Sequence, residues 1–205
     1  MIAARHTMGV GVAGRQEWAS VPMTYDDIQR CKALRAGRPG RNGVEQDVNR
    51  WVGDLGALAL YKWLKLMGQP HEWLRATKPY SPDFKIGGVD IRVRCSKRAR
   101  FGPADGIGLN ERHRKHSKKS RYVFAVYDEK SQVVHLVGTM LLGDFLNVAA
   151  KYAAGELVPV GQGAGKLPDG TPLYDVAMTH AQPVRVLLTN PAAPPEPEPT
   201  QTALF

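Results

Sequence analysis

Residues 82–96 read Pro-Asp-Phe-Lys-Ile-Gly-Gly-Val-Asp-Ile-Arg-Val-Arg-Cys-Ser and predict a β-hairpin. The Gly-Gly pair separates two short strands, and glycine supplies the positive φ that a tight turn requires. Side chains of a strand point to opposite faces in turn. The apolar face of the second strand carries Val89, Ile91, Val93 and Cys95, and its polar face carries Asp90, Arg92, Arg94 and Ser96. Pairing brings Asp83 towards that polar face, and two carboxylates beside a cation are the minimum for holding a divalent metal against a phosphate.

The composition is that of a soluble globular protein with a polyanionic partner. The chain has 205 residues, 43% of them apolar and 23% charged, which suits one domain with a tail. Its net charge of +9 favours nucleic acid as the partner over a merely solubilising surface charge. Two cysteines without a CxxC motif predict a reducing cytoplasm and no structural zinc. No apolar run reaches the roughly 18 to 20 residues of a membrane span. The first residues lack the pattern of a secretion signal, so we expect none.

Hydrophobic periodicity predicts an α/β protein with helices and strands in mixed order. Thr24 and Asp27 have the spacing of a capping box, which starts a helix over residues 25–36. A long amphipathic helix is predicted over 44–67, with Gly68 at its end and the small residues Gly53 and Gly56 inside it. Further strands are predicted over 71–77, around 107–109, and over 122–127, 133–137, 174–177 and 183–188, with a third helix over 141–153.

Composition divides the chain into a lead-in over 1–23, a folded domain over 24–190 and a tail over 191–205. The tail begins with a Pro-rich segment, which is extended and semi-rigid because proline fixes φ and removes donors. It ends in Leu204 and Phe205, which have no core to join. A pocket on another protein is their expected destination.

A strongly basic segment follows the hairpin directly. We expect it to contact phosphates rather than to be only a solvated surface. With Arg94, its candidate DNA-binding residues are Lys97, Arg98, Arg100, Arg112, Arg114, Lys115, Lys118 and Lys119. His113 and His116 in this segment have the spacing of metal ligands on a helix, but no third ligand accompanies them.

The order of elements from residue 44 to 153 resembles the PD-(D/E)XK nuclease superfamily, which has a restriction-endonuclease-like fold with a mixed central sheet flanked by helices. The resemblance implies Mg²⁺ or Mn²⁺ as cofactor. It implies that Asp83 is the principal metal ligand, Asp90 the second acid and Asp54 the helix carboxylate. The lysine of the family falls at Arg92, which offers charge and hydrogen bonds but cannot act as a base. A register shifted by two residues would place Arg94 there instead.

A second resemblance concerns the last five residues. Gln201-Thr202-Ala203-Leu204-Phe205 is similar to the Gln-x-x-Leu-Phe motif with which bacterial replication and repair proteins bind the DNA polymerase III β sliding clamp. The resemblance implies that Gln201 hydrogen-bonds at one subsite of the clamp. Leu204 and Phe205 would fill its hydrophobic subsite.

Together these features predict a metal-dependent endo- or exodeoxyribonuclease recruited through the sliding clamp to DNA under replication or repair. Its expected location is the cytoplasm of a bacterium or a phage-infected host, at the nucleoid. One alternative is a nuclease-fold protein that binds DNA and occupies the clamp without cutting. RNA cleavage is another alternative, against which the clamp-like tail argues.

Overall fold

The computed structural model describes residues 18–35, 50–74, 81–98, 106–153, 157–158, 165–166 and 173–188. Strands and helices alternate through these ranges. In chain order they are β1 (Ala19–Pro22), α1 (Tyr25–Arg35), α2 (Arg50–Leu66), β2 (Glu72–Trp73), β3 (Phe84–Ile86), β4 (Val89–Lys97), β5 (Gly106–Asn110), β6 (Arg121–Asp128), β7 (Val133–Leu141), α3 (Leu142–Val148), β8 (Ala150–Tyr152), β9 (Leu157–Val158), β10 (Gly165–Lys166) and β11 (Leu173–Ala177). Short 3-10 helices occupy Glu111–Lys115, Met178–His180 and Val184–Leu187.

The main sheet has six strands in the order β1-β7-β6-β4-β3-β2. Strands β4 and β6 run parallel, whereas the other neighbours are antiparallel. The protein is therefore mixed α/β, as the sequence predicts. Helices α1 and α2 bury their apolar side against one face of this sheet. A second core lies on the opposite face, where β5, β11 and α3 pack on β6 and β7.

The β3–β4 hairpin forms as predicted. Gly87 and Gly88 have φ of 55° and 78°, values that glycine adopts without steric cost and that fit the twist of a two-residue turn. Phe84 pairs with Ile91, and both are buried against α2. The face of the hairpin that packs on the helices is therefore the one on which the sequence places the apolar side chains.

The capping box at the start of α1 is confirmed. The Asp27 carboxylate accepts hydrogen bonds from both the backbone N–H and the hydroxyl of Thr24, each at 2.8 Å. The Thr24 hydroxyl in turn accepts from the Asp27 N–H at 3.1 Å. Lys62 of α2 forms an ion pair with the same carboxylate, so the cap also ties α1 to α2. At the other end of α2, Gly68 has the positive φ of a helix-ending glycine, as predicted.

Gly56 is where α2 meets β4. A Cβ at this position would lie 2.4 Å from Cβ of Cys95 and 3.3 Å from Cγ1 of Val93. Gly53, one turn earlier, has open space around the corresponding point. Of the two glycines, the close approach of helix and sheet therefore depends on Gly56.

This difference makes a stability prediction with a built-in control. We expect Gly56→Ala to lower the free energy of unfolding by about 1–3 kcal/mol, because the added methyl group overpacks the contact with Cys95. Gly53→Ala should raise it by about 0.5–1 kcal/mol, since alanine loses less backbone entropy than glycine in a helix and the added methyl group meets open space. Urea titration of the two variants measures both values. Equal effects of the same sign would show that the α2–β4 contact adjusts freely.

Three segments differ from the sequence prediction. The third helix, predicted over 141–153, ends at Val148 because β8 pairs with β11 immediately afterwards. The predicted strand over 183–188 is instead a 3-10 helix, whose buried residues Val184 and Leu187 recur every three positions. Strand β1 lies within the predicted lead-in and pairs with β7 at the edge of the main sheet. None of the described helices is long and apolar enough to cross a membrane.

Candidate functional site

The polar face of the hairpin lies opposite the helix layer. Because Phe84, Ile91 and Val93 point towards α2, their neighbours along the strands point to the other face. The pairing of Phe84 with Ile91 places Asp83 opposite Arg92. Asp90 pairs with Lys85 and lies diagonally from Asp83, roughly 7–8 Å away by ordinary strand geometry. The hairpin thus brings both predicted carboxylates and both predicted arginines to one surface.

Asp83 is half-buried at the end of β3, and its carboxylate has a structural partner. Oδ2 accepts a hydrogen bond of 2.7 Å from the backbone N–H of Val93, a group that β3 is too short to pair. Burial raises the pKa of Asp83 above its ordinary value. The Val93 N–H, Arg94 and Arg92 oppose that rise, whereas the charge of Asp54 adds to it. Asp54 of α2 is therefore within electrostatic range of Asp83.

Arg92 is the most deeply placed cation of the site. Its side chain is only 7% exposed, and Nη1 donates to the carbonyl of Ser81 at 2.9 Å. Its Nε–H is buried with no hydrogen-bond acceptor. A guanidinium stays charged at any relevant pH, and a buried charge without a counter-charge is costly. In the part of the chain that the structure describes, Arg92 forms no ion pair.

Arg94 lies two residues further along the same face and is exposed to solvent. Its Nη2 donates to Nδ1 of His113 at 3.2 Å, and its guanidinium is 6.0 Å from the centre of the Tyr122 ring. Loss of solvent around this group lowers the pKa of Arg94, with Arg92 adding to the effect, while Tyr122 and Asp83 oppose it. Arg94 is thus exposed as a residue, while neighbouring protein groups partly desolvate its guanidinium.

Tyr122 forms the floor of the site with two histidines. Its hydroxyl is 3.1 Å from Nδ1 of His113 and makes a second, short contact with Nδ1 of His116. Since an arginine can only donate, His113 accepts from Arg94 and is neutral in this arrangement. Burial, Arg92 and Arg94 lower the pKa of His116 to about 4, and burial raises the pKa of Tyr122 to about 12. The floor is therefore uncharged at neutral pH.

Sequence reasoning treated the two histidines as a weak metal-ligand pair and did not include Tyr122 in the site. In the structure, both histidines instead contact the hydroxyl of Tyr122. His113 also accepts a hydrogen bond from Arg94 and so helps to position it. The apolar setting of Tyr122 in β6 gives no sign of this role in the sequence. Tyr122 reaches the site because β4 and β6 pair in parallel, with Arg92 opposite Tyr122.

The carboxylates do not by themselves form a complete metal cage. In the ranges described above, no group of three or more His, Cys, Asp and Glu side chains is close enough to hold a metal ion. Asp83 and Asp90 share a face, and Asp54 acts on Asp83 only through its charge. This set suits a cation that takes one or two protein carboxylates and completes its shell with water and phosphate, as Mg²⁺ commonly does.

The predicted DNA-binding cations fall into three groups. Lys115, Lys118 and Lys119 are exposed in the segment that also supplies His113 and His116. Three others are engaged with protein groups: Lys97 forms an ion pair with Glu129, Arg98 donates to the Gly106 carbonyl, and Arg114 forms an ion pair with Glu111 and lies over the Tyr174 ring. Arg100 lies outside the described residues, as does the side chain of Arg112. The clamp-like residues Gln201, Leu204 and Phe205 also lie outside them.

Comparisons of the chain with protein-family models, with curated proteins and with solved structures found no match.

Proposed function

We propose that this protein is a metal-dependent DNA nuclease with a restriction-endonuclease-like fold. The observation that carries the proposal is the convergence of Asp83, Asp90, Arg92 and Arg94 on one face of the hairpin, next to exposed lysines. The order of α2, the β3–β4 hairpin and strands β6 and β7 supports the fold assignment. Carboxylates and guanidinium groups side by side suit phosphodiester hydrolysis, in which negative charge accumulates on the phosphate.

The carboxylate oxygens fit Mg²⁺ or Mn²⁺. Asp83 uses Oδ2 for the Val93 N–H, which leaves Oδ1 for a ligand, and Asp90 is only half-buried. These two residues would hold the metal, with Asp54 contributing negative charge from α2. When bound, the metal would supply the Lewis acid that lowers the pKa of a water molecule and offsets charge on the phosphate.

The arginines have the remaining electrostatic role. Arg92 occupies the position of the family's lysine and is held rigidly by Ser81 and its burial. It cannot take a proton from water, so its contribution is to hold the phosphate and to stabilise developing negative charge. Arg94 is oriented by His113 and contacts the same phosphate from the open side.

Recruitment through the β sliding clamp completes the proposal. It rests on the similarity of residues 201–205 to the clamp-binding motif and on the Pro-rich segment before them. About ten spacer residues at roughly 3 Å each could hold the domain some 30 Å from the clamp, near the DNA that passes through it. Tethering raises the local DNA concentration without tight intrinsic binding. The expected setting is DNA under replication or repair in the cytoplasm of a bacterium or a phage-infected host.

Incubation with single-stranded, double-stranded, nicked and flapped DNA tests the activity directly. We expect cleavage of at least one substrate with Mg²⁺ or Mn²⁺ and none with EDTA. A parallel incubation with RNA of the same sequence tests the RNA alternative. Absence of cleavage of every DNA, at protein concentrations that bind it, would refute the nuclease proposal.

Two observations favour a second candidate, a DNA-binding protein that occupies the clamp without cutting. Residue 92 is an arginine, whereas the family has a lysine at this position. The described residues also contain no cluster of three metal-ligating side chains. This candidate predicts that Asp83→Ala leaves the protein's effect on replicating cells unchanged, whereas Phe205→Ala removes it. The nuclease proposal predicts that both substitutions remove it.

A further inference from the structure

We infer that His113 is a positioning residue that holds Arg94 only while its imidazole is neutral. The inference deepens the proposed function and rests on it, because it names the proton that controls one phosphate-binding residue of the site. It starts from the chemistry of arginine, which donates hydrogen bonds and accepts none. The proton positions on His113, Tyr122 and His116 then follow from one contact after another.

The contact between Arg94 and His113 fixes the first of these protons. Nη2 of Arg94 lies 3.2 Å from Nδ1 of His113. Because the guanidinium donates, Nδ1 accepts with its lone pair, and the neutral ring carries its proton on Nε2. Arg94 has a second acceptor in the Val93 carbonyl, but that contact is 3.4 Å long and near the limit of a hydrogen bond. His113 is therefore the better of these two acceptors.

The Tyr122 hydroxyl extends the same order to His116. The hydroxyl lies 3.1 Å from Nδ1 of His113, and since that nitrogen carries no proton, the hydroxyl donates to it. The hydroxyl oxygen then accepts from His116, whose Nδ1 makes a short contact with it. His116 therefore carries its proton on Nδ1, and the two histidines have opposite tautomers.

The segment that carries His113 is anchored around it. Strand β5, which precedes the 3-10 helix, pairs with β11. Glu111 accepts a hydrogen bond of 2.6 Å from the Tyr174 hydroxyl and forms an ion pair of 2.8 Å with Arg114. The His113 ring itself packs edge-on against Tyr122, with ring centres 5.6 Å apart. These contacts keep the imidazole where it meets Arg94.

Protonation of His113 would oppose this arrangement. Both ring nitrogens would then carry N–H groups, so Nδ1 would face the N–H of Arg94 and the hydroxyl proton of Tyr122 with no acceptor between them. Two positive charges would also stand side by side. Arg94 would lose its better acceptor and be repelled from its position.

The ionisable groups around His113 keep their charge or act with the opposite sign. From β6, Tyr122 stays protonated, because burial raises its pKa to about 12. His116 follows the 3-10 helix and stays neutral, because burial and the two arginines of β4 lower its pKa to about 4. The charge of Asp83 also reaches Tyr122, and burial raises the pKa of Asp83, so acid removes a charge that repels DNA. Weaker use of the arginine in acid would therefore come from His113, since histidine ordinarily titrates between about pH 5 and 8.

A double-mutant cycle between Arg94 and His113 at two pH values tests the inference. Fluorescence anisotropy of dye-labelled duplex DNA, with EDTA to prevent cleavage, measures the affinities. At about pH 7.5, Arg94→Gln should weaken binding about tenfold, the effect of one charge-assisted hydrogen bond, and at about pH 5.5 less than twofold. In the His113→Asn background the loss should be about tenfold at both pH values, because the asparagine oxygen can replace Nδ1 as an acceptor that does not titrate.

His135→Asn is the matched control. His135 is also half-buried, and its Nδ1 contacts a hydroxyl, that of Ser20, at 2.9 Å. In the His135→Asn background, the effect of Arg94→Gln should depend on pH as in the wild type. A tenfold loss at both pH values in the wild-type background would overturn the inference.

Nuclear magnetic resonance reads the tautomers without DNA. Long-range ¹H–¹⁵N spectra at neutral pH should show Nε2–H for His113 and Nδ1–H for His116. A proton on Nδ1 of His113 would overturn the inference. The predicted tautomers in a protein whose DNA binding does not change on Arg94→Gln at either pH would support the role of His113 and refute the proposed DNA contact of Arg94.

Discussion

Asp83→Asn is expected to abolish metal-dependent DNA cleavage without lowering the stability of the fold. The amide oxygen can still accept the hydrogen bond from Val93, so β4 keeps its partner at this position. The substitution removes the charge that would bind the metal. We expect the cleavage rate to fall by about 10²–10³-fold or more, the size of effect seen when one preorganised electrostatic group of an active site is lost. Single-turnover cleavage of the best substrate measures it.

The stability half of this prediction follows from the pKa of Asp83. Burial raises that pKa in the folded state, so protonated Asp83 favours folding. The stabilisation is complete below the pKa of the unfolded chain and is lost as pH rises through the higher folded pKa. At about pH 7 the ionised carboxylate therefore costs stability. Asp83→Asn should have a free energy of unfolding equal to or above that of the wild type at this pH, with a smaller difference in acid.

Asp26→Asn is the matched control, because Asp26 is an exposed carboxylate in the first turn of α1. It should change neither cleavage nor its metal dependence. Unchanged cleavage by Asp83→Asn would remove Asp83 from the chemistry. A less stable Asp83→Asn protein at pH 7 would show that attraction to Arg92 and Arg94 outweighs the cost of burial.

Deletion of residues 201–205 is expected to eliminate binding to the β sliding clamp. The two large apolar side chains of Leu204 and Phe205 are the residues that the motif places in the hydrophobic subsite, and such anchors carry most of the energy of a short peptide. Size-exclusion chromatography of the mixed proteins should show co-migration for the full chain only. Single substitutions refine the test, since Phe205→Ala should disrupt binding and Thr202→Ala, at an intervening position, should not.

In this proposal, the tail serves only to bind the clamp and the hairpin face serves only to cleave DNA. The truncated protein should cleave short linear DNA at the wild-type rate, because such DNA needs no clamp for access. It should lose only the stimulation that a DNA-loaded clamp provides through tethering. Co-migration of the truncated protein with the clamp would refute the assignment of the tail.

Much of the fold and part of the candidate site could be predicted from local chemistry. The capping box of Thr24 and Asp27 and the glycine turn at Gly87 and Gly88 depend on neighbours within four residues, and both occur as predicted. The third helix was predicted too long because residues 150–152 pair with β11, more than 20 residues away in the chain. Pairing with a strand that is distant in the chain can override a local preference for helix.

Local sequence is enough to predict the hairpin and its two faces. Alternation places Asp83, Asp90, Arg92 and Arg94 together once the glycine turn is set. The contacts that hold those side chains come from tertiary packing. Arg92 is buried, and Arg94 is held by His113 and Tyr122, because β6 lies parallel to β4 and the 3-10 helix Glu111–Lys115 before β6 supplies His113. Periodicity reports which side of a strand a residue takes. It does not report what packs above it, because that depends on contacts between distant segments.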